Sequence, residues 1–303
     1  MKTTLSHADL ANSVIAVPPL CRNADQSINA AENKRQIQHL ENGGVRIMLY
    51  GGNANLYNIA VSEYPELLDV LEAAAGPETV IVPSVGPYYG TMMDQASLFK
   101  GRNFPTAMIL PTLFPAKPAG VATSVRHFSD RAGIPVVMYI KNDGYTTVDD
   151  VKRLVDDGCI SWIKYAIVRP DEANDPFLAE LVQKVDPKMI ISGMGEQPVI
   201  VHLRDFKIGG FTSGCICVAP KLSMAMLAAC KAGDWARAEE IRKIYLPLED
   251  LRNGHGPIPV LHHAVSLAGV AETGPQLPLM ADLDADLQQI IGAAAKELLA
   301  QDQ

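Results

Sequence analysis

"CISWIKYAIVRP", residues 159–170, is a run of β-branched and aromatic residues that predicts a buried strand, yet it carries Lys164 near its end. The run is continuously apolar rather than alternating, which is typical of strands covered on both faces, as in parallel sheets. A charged ammonium in an apolar strand costs several kcal/mol. Lys164 is therefore paired with a carboxylate such as Glu196, exposed at the tip of the strand, or kept neutral for chemistry.

Similar apolar runs recur along the whole chain, spaced by about 20 to 35 residues, the length that a strand, a crossover helix and their loops require. The eight runs are residues 14–17, 45–50, 79–85, 106–111, 135–140, 160–166, 188–193 and 210–218. We predict an α/β fold, a (β/α)8 barrel over residues 1–233 followed by a helical extension over residues 234–303. A doubly wound sheet would need a glycine-rich phosphate turn after an early strand, and "YGGNANLYN" does not match that pattern.

Helix signals lie between these runs. Ser62 is expected to start one helix, Thr147 with Asp150 forms a capping-box-like start for another, and Asp175 followed by Pro176 starts a third. After the eighth run the chain stays helical to its end. One of these last helices completes the barrel and the others form the extension.

Composition excludes several classes of function. The chain has 303 residues and a formal net charge of -8, without a cluster of lysines and arginines, so we expect no nucleic-acid partner and no membrane partner. Its first residues contain only a short apolar stretch before two prolines, which predicts neither a signal peptide nor a membrane span. We expect a cytoplasmic enzyme with a small-molecule substrate.

Five cysteines form an odd set without a C-x-x-C pair, which indicates buried thiols in a reducing compartment. Cys215 and Cys217 are expected on one face of the eighth strand. Ligand spacing typical of zinc is missing, so we predict no metal. His262 and His263 lie on a helix of the extension, away from the strand ends, and we interpret them as a surface or interface pair. We predict no cofactor.

In a barrel of this kind, functional side chains project from the carboxyl ends of the strands and from the loops that follow. That rule selects a short set of candidates: Gly51, Gly52, Asn53, Asn55, Thr112, Tyr139, Lys141, Asn142, Lys164, Gly193, Glu196, Thr212 and Ser213.

Lys164 has the strongest chemical interpretation. Desolvation inside a barrel lowers the pKa of a lysine towards neutrality, and a neutral amine can attack a ketone to form an iminium. Proton transfers are then needed, and Tyr139, at the end of the neighbouring strand, can perform them. Lys141 is a rival nucleophile, although "KNDG" suggests that it has entered a solvated turn.

Substrates for this chemistry are 2-oxo acids, so the site needs a group that holds a carboxylate. The backbone N–H groups of Gly52 and Asn53, together with the Asn53 amide, can do so, or the glycines can simply permit a tight turn. Thr212 and Ser213 are expected at the pocket wall, where hydroxyls contact a polyhydroxy substrate or satisfy backbone groups. Gly193 completes the predicted substrate-binding set.

These motifs resemble the dihydrodipicolinate synthase and N-acetylneuraminate lyase family of Schiff-base aldolases over nearly the whole chain. "VIAVPPL" is similar to the first strand of the family and "VVMYI" to its Y-N-x-P strand. "SWIKYA" is similar to the strand that carries the Schiff-base lysine, and "GGFTSGCICVAP" to the eighth strand. The resemblance implies that Lys164 is the Schiff-base lysine, that Tyr139 is the proton shuttle, and that Gly52 and Asn53 hold the carboxylate. It also implies a homo-oligomer, a tetramer or a dimer.

The departures from the family pattern are also informative. "GGNAN" stands where the family has G-T-T-G-E, Gly144 stands where the synthase branch has an arginine, and Leu113 stands in place of a tyrosine of the inter-subunit relay. We therefore predict a lyase, an aldolase or a dehydratase, that acts on a sugar-acid-type 2-oxo acid. A catalytically silent or regulatory barrel and a true dihydrodipicolinate synthase are the alternatives, and a phosphate-binding barrel isomerase is a third possibility.

Overall fold

A computed structural model describes residues 1–303 as a closed barrel of eight parallel strands in the order of the sequence, which confirms the predicted fold. Each strand lies within one of the eight apolar runs. The strands are β1 (Ile15–Ala16), β2 (Ile47–Tyr50), β3 (Val80–Val85), β4 (Ala107–Ile109), β5 (Val136–Ile140), β6 (Ile160–Tyr165), β7 (Ile190–Ser192) and β8 (Gly210–Ser213).

Twelve α-helices surround and extend this barrel. They are α1 (His7–Asn12), α2 (Ala30–Asn42), α3 (Tyr64–Ala74), α4 (Tyr89–Ala96), α5 (Pro118–Ala132), α6 (Val148–Asp156), α7 (Pro176–Lys184), α8 (Val199–Asp205), α9 (Pro220–Ala232), α10 (Trp235–His255), α11 (Pro257–Leu267) and α12 (Ala285–Ala300). Short 3-10 helices occur in four of the connections. No helix combines the length and the apolar character that a membrane crossing would require.

The barrel forms because nearly every strand residue is buried, with helices on the outer face and packed side chains inside. The neighbours β5 and β6 are aligned so that Tyr139 and Lys164 are partners in the register. Side chains of register partners project on the same side of a sheet, so this pairing brings the two predicted catalytic residues together at the carboxyl end of the barrel.

Several helix starts follow the predicted capping chemistry. The side chain of Thr147 accepts a hydrogen bond from the backbone N–H of Asp150 (3.1 Å), and Asp175 accepts one from Leu178 (3.1 Å). The start assigned to Ser62 is wrong. Helix α3 begins at Tyr64, and its N-cap residue, Glu63, makes no side-chain capping bond.

The eighth strand is shorter than the apolar run predicts, and this changes the position of two cysteines. It ends at Ser213, and Cys215 and Cys217 lie in a 3-10 helix rather than on one face of a strand. Apolar periodicity cannot separate a buried strand from a buried helical turn over so few residues. All five cysteines are free and buried, as predicted.

The predicted boundary between barrel and extension falls between α9 and α10. That this is a domain boundary stays a prediction. One hydrophobic core includes residues from both sides of it, such as Leu222 of α9 and Tyr245 of α10. Helices α10 to α12 therefore continue the packing of the barrel.

Candidate active site

A cavity of about 500 Å³ opens at the carboxyl end of the barrel, where the sequence places the active site. Two predicted catalytic residues and four predicted substrate-binding residues line it, together with the rival lysine. They are Tyr139, Lys164, Gly52, Asn53, Gly193, Thr212 and Lys141.

Lys164 projects into this cavity from the end of β6. Its side chain is 5% exposed, and it takes part in no ion pair and no hydrogen bond within the chain. The pairing with Glu196 is therefore wrong, because that carboxylate accepts a hydrogen bond from Ser223 (2.8 Å) instead. Burial lowers the pKa of Lys164 from 10.5 to about 7, and the nearby charges of Lys141 and Arg252 act in the same direction. A large fraction of this amine is consequently neutral near pH 7.

Tyr139 is the immediate neighbour of this amine. The Nζ atom of Lys164 lies 4.5 Å from the centroid of the Tyr139 ring, and the tyrosine is 9% exposed. Burial raises the pKa of Tyr139 above its ordinary value, so the phenol keeps its proton at neutral pH. The phenol has no hydrogen-bond partner within the chain, which leaves it free to exchange a proton with a bound substrate.

Lys141 is exposed and follows β5, as the turn signal predicts. It lines the same cavity as Lys164 but, unlike Lys164, it is not buried. Its charge contributes to the lowered pKa of Lys164. Lys141 is thus an electrostatic neighbour of the buried amine.

The carboxylate loop, residues 51–55, follows β2 and is held from two sides. The Nδ2 atom of Asn53 donates a hydrogen bond to the carbonyl of Val17 (2.9 Å), and the Asn53 carbonyl lies 3.1 Å from Nε2 of His262. The backbone N–H groups of Gly52 and Asn53 have no acceptor within the chain. Free N–H groups on a fixed loop beside a cavity are suited to an anion.

Gly193 lies directly against the buried lysine. A Cβ atom built at this position would be 2.9 Å from the Cγ atom of Lys164 and 2.9 Å from the Cβ atom of Ala166. Carbon atoms do not approach so closely, so the absence of a side chain at position 193 makes room for Lys164.

The two hydroxyl residues of β8 have different positions. Thr212 lines the cavity, but Ser213 does not, and the placement of Ser213 at the pocket wall is wrong. Its Oγ atom instead accepts a hydrogen bond from the backbone N–H of Ile216 (3.0 Å). Successive side chains of a strand point to opposite faces, so only one of two adjacent residues can face the substrate. The other candidates absent from the cavity wall are Gly51, Asn55, Thr112, Asn142 and Glu196.

The extension supplies functional residues that the strand-end rule misses. Arg252 of α10 lines the cavity and is 8% exposed. His262 of α11 is buried against the carboxylate loop, so its interpretation as a surface residue is wrong. Its neighbour His263 is partly exposed and pairs with Asp282. The only sequence signal for Arg252 is its spacing of three from Glu249, which is common on helix surfaces.

The charges around the cavity favour an acidic ligand. Four basic side chains and one acidic side chain line it: Lys141, Lys164, Arg169, Arg252 and Glu172. Arg169 is itself bound by Asp143, with two hydrogen bonds of 2.6 and 2.8 Å. No group of three or more histidine, cysteine, aspartate and glutamate side chains is arranged to hold a metal ion.

Comparison with known proteins finds named enzymes that match nearly the whole chain at low identity. It is 24% identical over 286 residues to a probable 5-dehydro-4-deoxyglucarate dehydratase of Rhizobium rhizogenes, an alignment that covers 89% of this chain and 91% of the relative. It is 25% identical over 292 residues to a 4-hydroxy-tetrahydrodipicolinate synthase of Dechloromonas aromatica, covering 94% of this chain and 97% of the relative.

A solved structure shows the same fold. The sialic acid aldolase of Ruminococcus gnavus superposes with a TM-score of 0.84 at 15% identity, over 96% of this chain and 98% of the aldolase. No known family profile matches the sequence. The combination of full-length coverage and low identity indicates distant relatives that keep the whole barrel and its extension.

Proposed function

We propose that the chain is a divergent member of the dihydrodipicolinate synthase and N-acetylneuraminate lyase family and a Schiff-base-forming lyase, in which Lys164 attacks the ketone of a 2-oxo acid. The observation that carries this proposal is the state of Lys164: a buried amine without an ion pair, with a pKa lowered to about 7, at the base of a cavity. A lysine held for packing alone would have a partner for its charge.

The reaction begins when the neutral amine of Lys164 adds to C2 of the 2-oxo acid. The carbinolamine loses water, and the resulting iminium withdraws electrons from C3. From a 4-hydroxy-2-oxo acid, either the C3–C4 bond breaks, as in an aldolase, or a C3 proton and the C4 hydroxyl leave as water, as in a dehydratase. Tyr139, protonated and next to Lys164, transfers protons at the carbinolamine and at the substrate hydroxyl.

We infer a sugar-acid-type substrate. The probable dehydratase relative is named for such an acid, 5-dehydro-4-deoxyglucarate. The basic lining of the cavity suits acidic groups, and Thr212 offers a hydroxyl to a polyhydroxy chain. Leu113, where the synthase branch has a relay tyrosine, is 55% exposed and brings no hydroxyl, which disfavours the lysine-pathway synthase.

Borohydride reduction tests the proposed chemistry. Wild-type protein is incubated with pyruvate, glyoxylate or a 2-oxo-3-deoxy sugar acid, reduced, and examined by intact-mass spectrometry. We expect a mass increase equal to the reduced adduct, lost in Lys164→Ala and kept in Lys141→Ala. Folded wild-type protein that forms no adduct with any of these acids would favour the silent barrel instead.

We also propose that the protein is a homo-oligomer, a dimer or a tetramer. The loops after the neighbouring strands β3 and β4 expose large apolar side chains, including Leu113 and Phe114, the latter 83% exposed. Exposed apolar clusters of this kind mark interaction surfaces. Light scattering should give a mass above 32.7 kDa that decreases in a Leu113→Asp, Phe114→Asp variant. A cytoplasmic location also belongs to the proposal, supported by five unpaired buried cysteines.

A further inference from the structure

The carboxylate loop, residues 51–55, lacks side-chain hydroxyls, and what it offers to an anion at the cavity is the unpaired backbone N–H groups of Gly52 and Asn53 and the Asn53 amide. None of these carries a formal charge. The Asn53 amide, moreover, already donates to the Val17 carbonyl. A fully charged carboxylate in a buried cavity calls for a charged partner or more hydrogen bonds than the loop offers.

Arg252 lies beside this loop. A Cβ atom built on Gly214 would be 2.8 Å from Nη2 of Arg252 and 3.0 Å from Nδ2 of Asn53. The Arg252 guanidinium and the Asn53 side-chain amide therefore both lie against Gly214, the residue that follows β8. Any side chain at position 214 would displace one of them.

The guanidinium is fixed, charged and incompletely bonded. Its Nη1 atom donates to Oε1 of Glu249 (2.8 Å), whereas Nη2 has no acceptor and Nε is buried without one. Burial by itself would lower the pKa of Arg252, but Glu249, Cys215 and Glu196 together more than offset burial and raise the pKa, so the group stays charged. Nη2 is thus an unpaired donor on a residue that lines the cavity, and it can donate a hydrogen bond to a ligand oxygen.

A second carboxyl group keeps the surroundings of Arg252 close to neutral. Glu196 is fully buried beside Glu249, and burial together with that neighbour raises the pKa of Glu196 to about 8. At neutral pH Glu196 therefore largely keeps its proton and adds little negative charge beside the guanidinium. If both glutamates were ionised, Arg252, Glu196 and Glu249 together would carry a net negative charge and repel an acid.

We propose that Arg252 binds the carboxylate of the 2-oxo acid, in concert with the free N–H groups of Gly52 and Asn53. Glu249 is a positioning residue that orients the guanidinium, and Glu196 supports Glu249. This assignment rests on the proposed function, because it takes a 2-oxo acid as the ligand of the cavity. It makes the extension, rather than the barrel alone, responsible for recognising the acid.

The test measures the pyruvate concentration that gives half-maximal borohydride trapping. In Arg252→Gln we expect that concentration to rise tenfold to a hundredfold, the range for a lost hydrogen bond to a charged group. Trapping of hydroxyacetone, a ketone without a carboxylate, should weaken far less, because loss of the Arg252 charge near Lys164 affects both ketones whereas loss of the carboxylate contact affects pyruvate alone. Arg252→Lys keeps the positive charge but lacks the paired N–H donors of the guanidinium, so its half-maximal pyruvate concentration should lie between those of the wild type and Arg252→Gln.

Two further variants keep the result interpretable. Removing Arg252 leaves Glu249 buried and unpaired, so Glu249→Gln, Arg252→Gln is made alongside the single variant and should show the same rise. Arg237→Gln is the matched control, because Arg237 lies on the same helix and pairs with Glu240 at the same spacing, but on the surface. It should trap pyruvate as the wild type does.

The outcomes separate the two proposals. An unchanged pyruvate dependence in the single and the double variant, with wild-type protein still trapped, would overturn the role of Arg252 and leave the lyase proposal intact. An equal loss with hydroxyacetone would also overturn it, because the arginine would then act on the amine. A wild-type protein that is trapped by no ketone would remove the proposed function and this inference together.

Discussion

Replacing Lys164 with methionine is expected to abolish Schiff-base chemistry and to stabilise the fold. The lysine has no ion pair, and burial, aided by the charges of Lys141 and Arg252, lowers its pKa from 10.5 to about 7. At 1.36 kcal/mol per pH unit, this difference corresponds to roughly 5 kcal/mol by which the charged lysine disfavours folding. Methionine has a similar unbranched stem and no charge, so it fills the same space without that cost.

The pH dependence identifies the cause. In the unfolded chain Lys164 stays protonated up to about pH 10.5, whereas in the folded protein it loses its proton above about pH 7. The unfavourable contribution is therefore complete below pH 7 and disappears as the pH rises towards 10.5. We expect Lys164→Met to raise the free energy of unfolding by about 4 kcal/mol at pH 7 and by about 2 kcal/mol at pH 9.

Urea unfolding followed by circular dichroism at pH 7 and pH 9 measures this difference. Lys100→Met is the control, because Lys100 is exposed and distant from the cavity, and its replacement should change stability by less than about 0.5 kcal/mol. A Lys164→Met variant that is no more stable than the wild type at pH 7 would refute the reasoning. So would a gain that is equal at the two pH values, since it would come from packing rather than from desolvation of the charge.

Three further predictions concern neighbours of this lysine and the support of the site. Tyr139→Phe should still be trapped by borohydride with pyruvate but should lower kcat by about 100-fold to 10,000-fold, because the proton shuttle is gone; a kcat within threefold of wild type would argue against that role. Gly193→Ala should reduce the rate of trapping at least about tenfold, since its methyl group would press on Lys164, whereas Gly120→Ala, in open space on α5, should leave that rate unchanged. Burial lowers the pKa of His262 from 6.5 to about 4, so the unfolded chain takes up a proton that the folded chain does not, and the wild type should lose stability between pH 6.5 and 4. His262→Gln should lose roughly 3 kcal/mol less over that range in urea unfolding, and identical losses would show that His262 does not resist protonation.

The barrel could be predicted from the sequence because each strand is a continuous apolar run and each crossover has the length of a helix with its loops. The end of β8 could not be predicted. The apolar sequence "GCICV" is compatible with a buried strand and with a buried helical turn, and only packing decides between the two. For the same reason the helix signals that depend on a local hydrogen bond, at Thr147 and Asp175, were more informative than the isolated Ser62.

Some residues of the candidate site could likewise be predicted from the sequence, and others could not. Lys164, Tyr139, Gly52, Asn53, Gly193 and Thr212 follow from the rule that function lies at strand ends, and they do line the cavity. The prediction for Ser213 is wrong because the rule gives the position of a residue along the strand but not the side of the strand from which its side chain projects. Arg252 and His262 reach the site through the packing of α10 and α11 on the barrel, and no local pattern in "LEDLRNGH" or "VLHHAV" reports such a contact.

The residues of this cavity come from two kinds of structural element, barrel strands and a helix of the extension, which can change independently during evolution. Lys164 and Tyr139 project from paired strands, where a shift would break the backbone ladder of the whole barrel. Arg252 projects from α10, a helix with a solvent-facing side, and substitutions along it can move or replace the guanidinium while the strands stay in place. In a lineage of such barrels, the chemistry of the amine can therefore be inherited unchanged while the preference for one acid over another drifts.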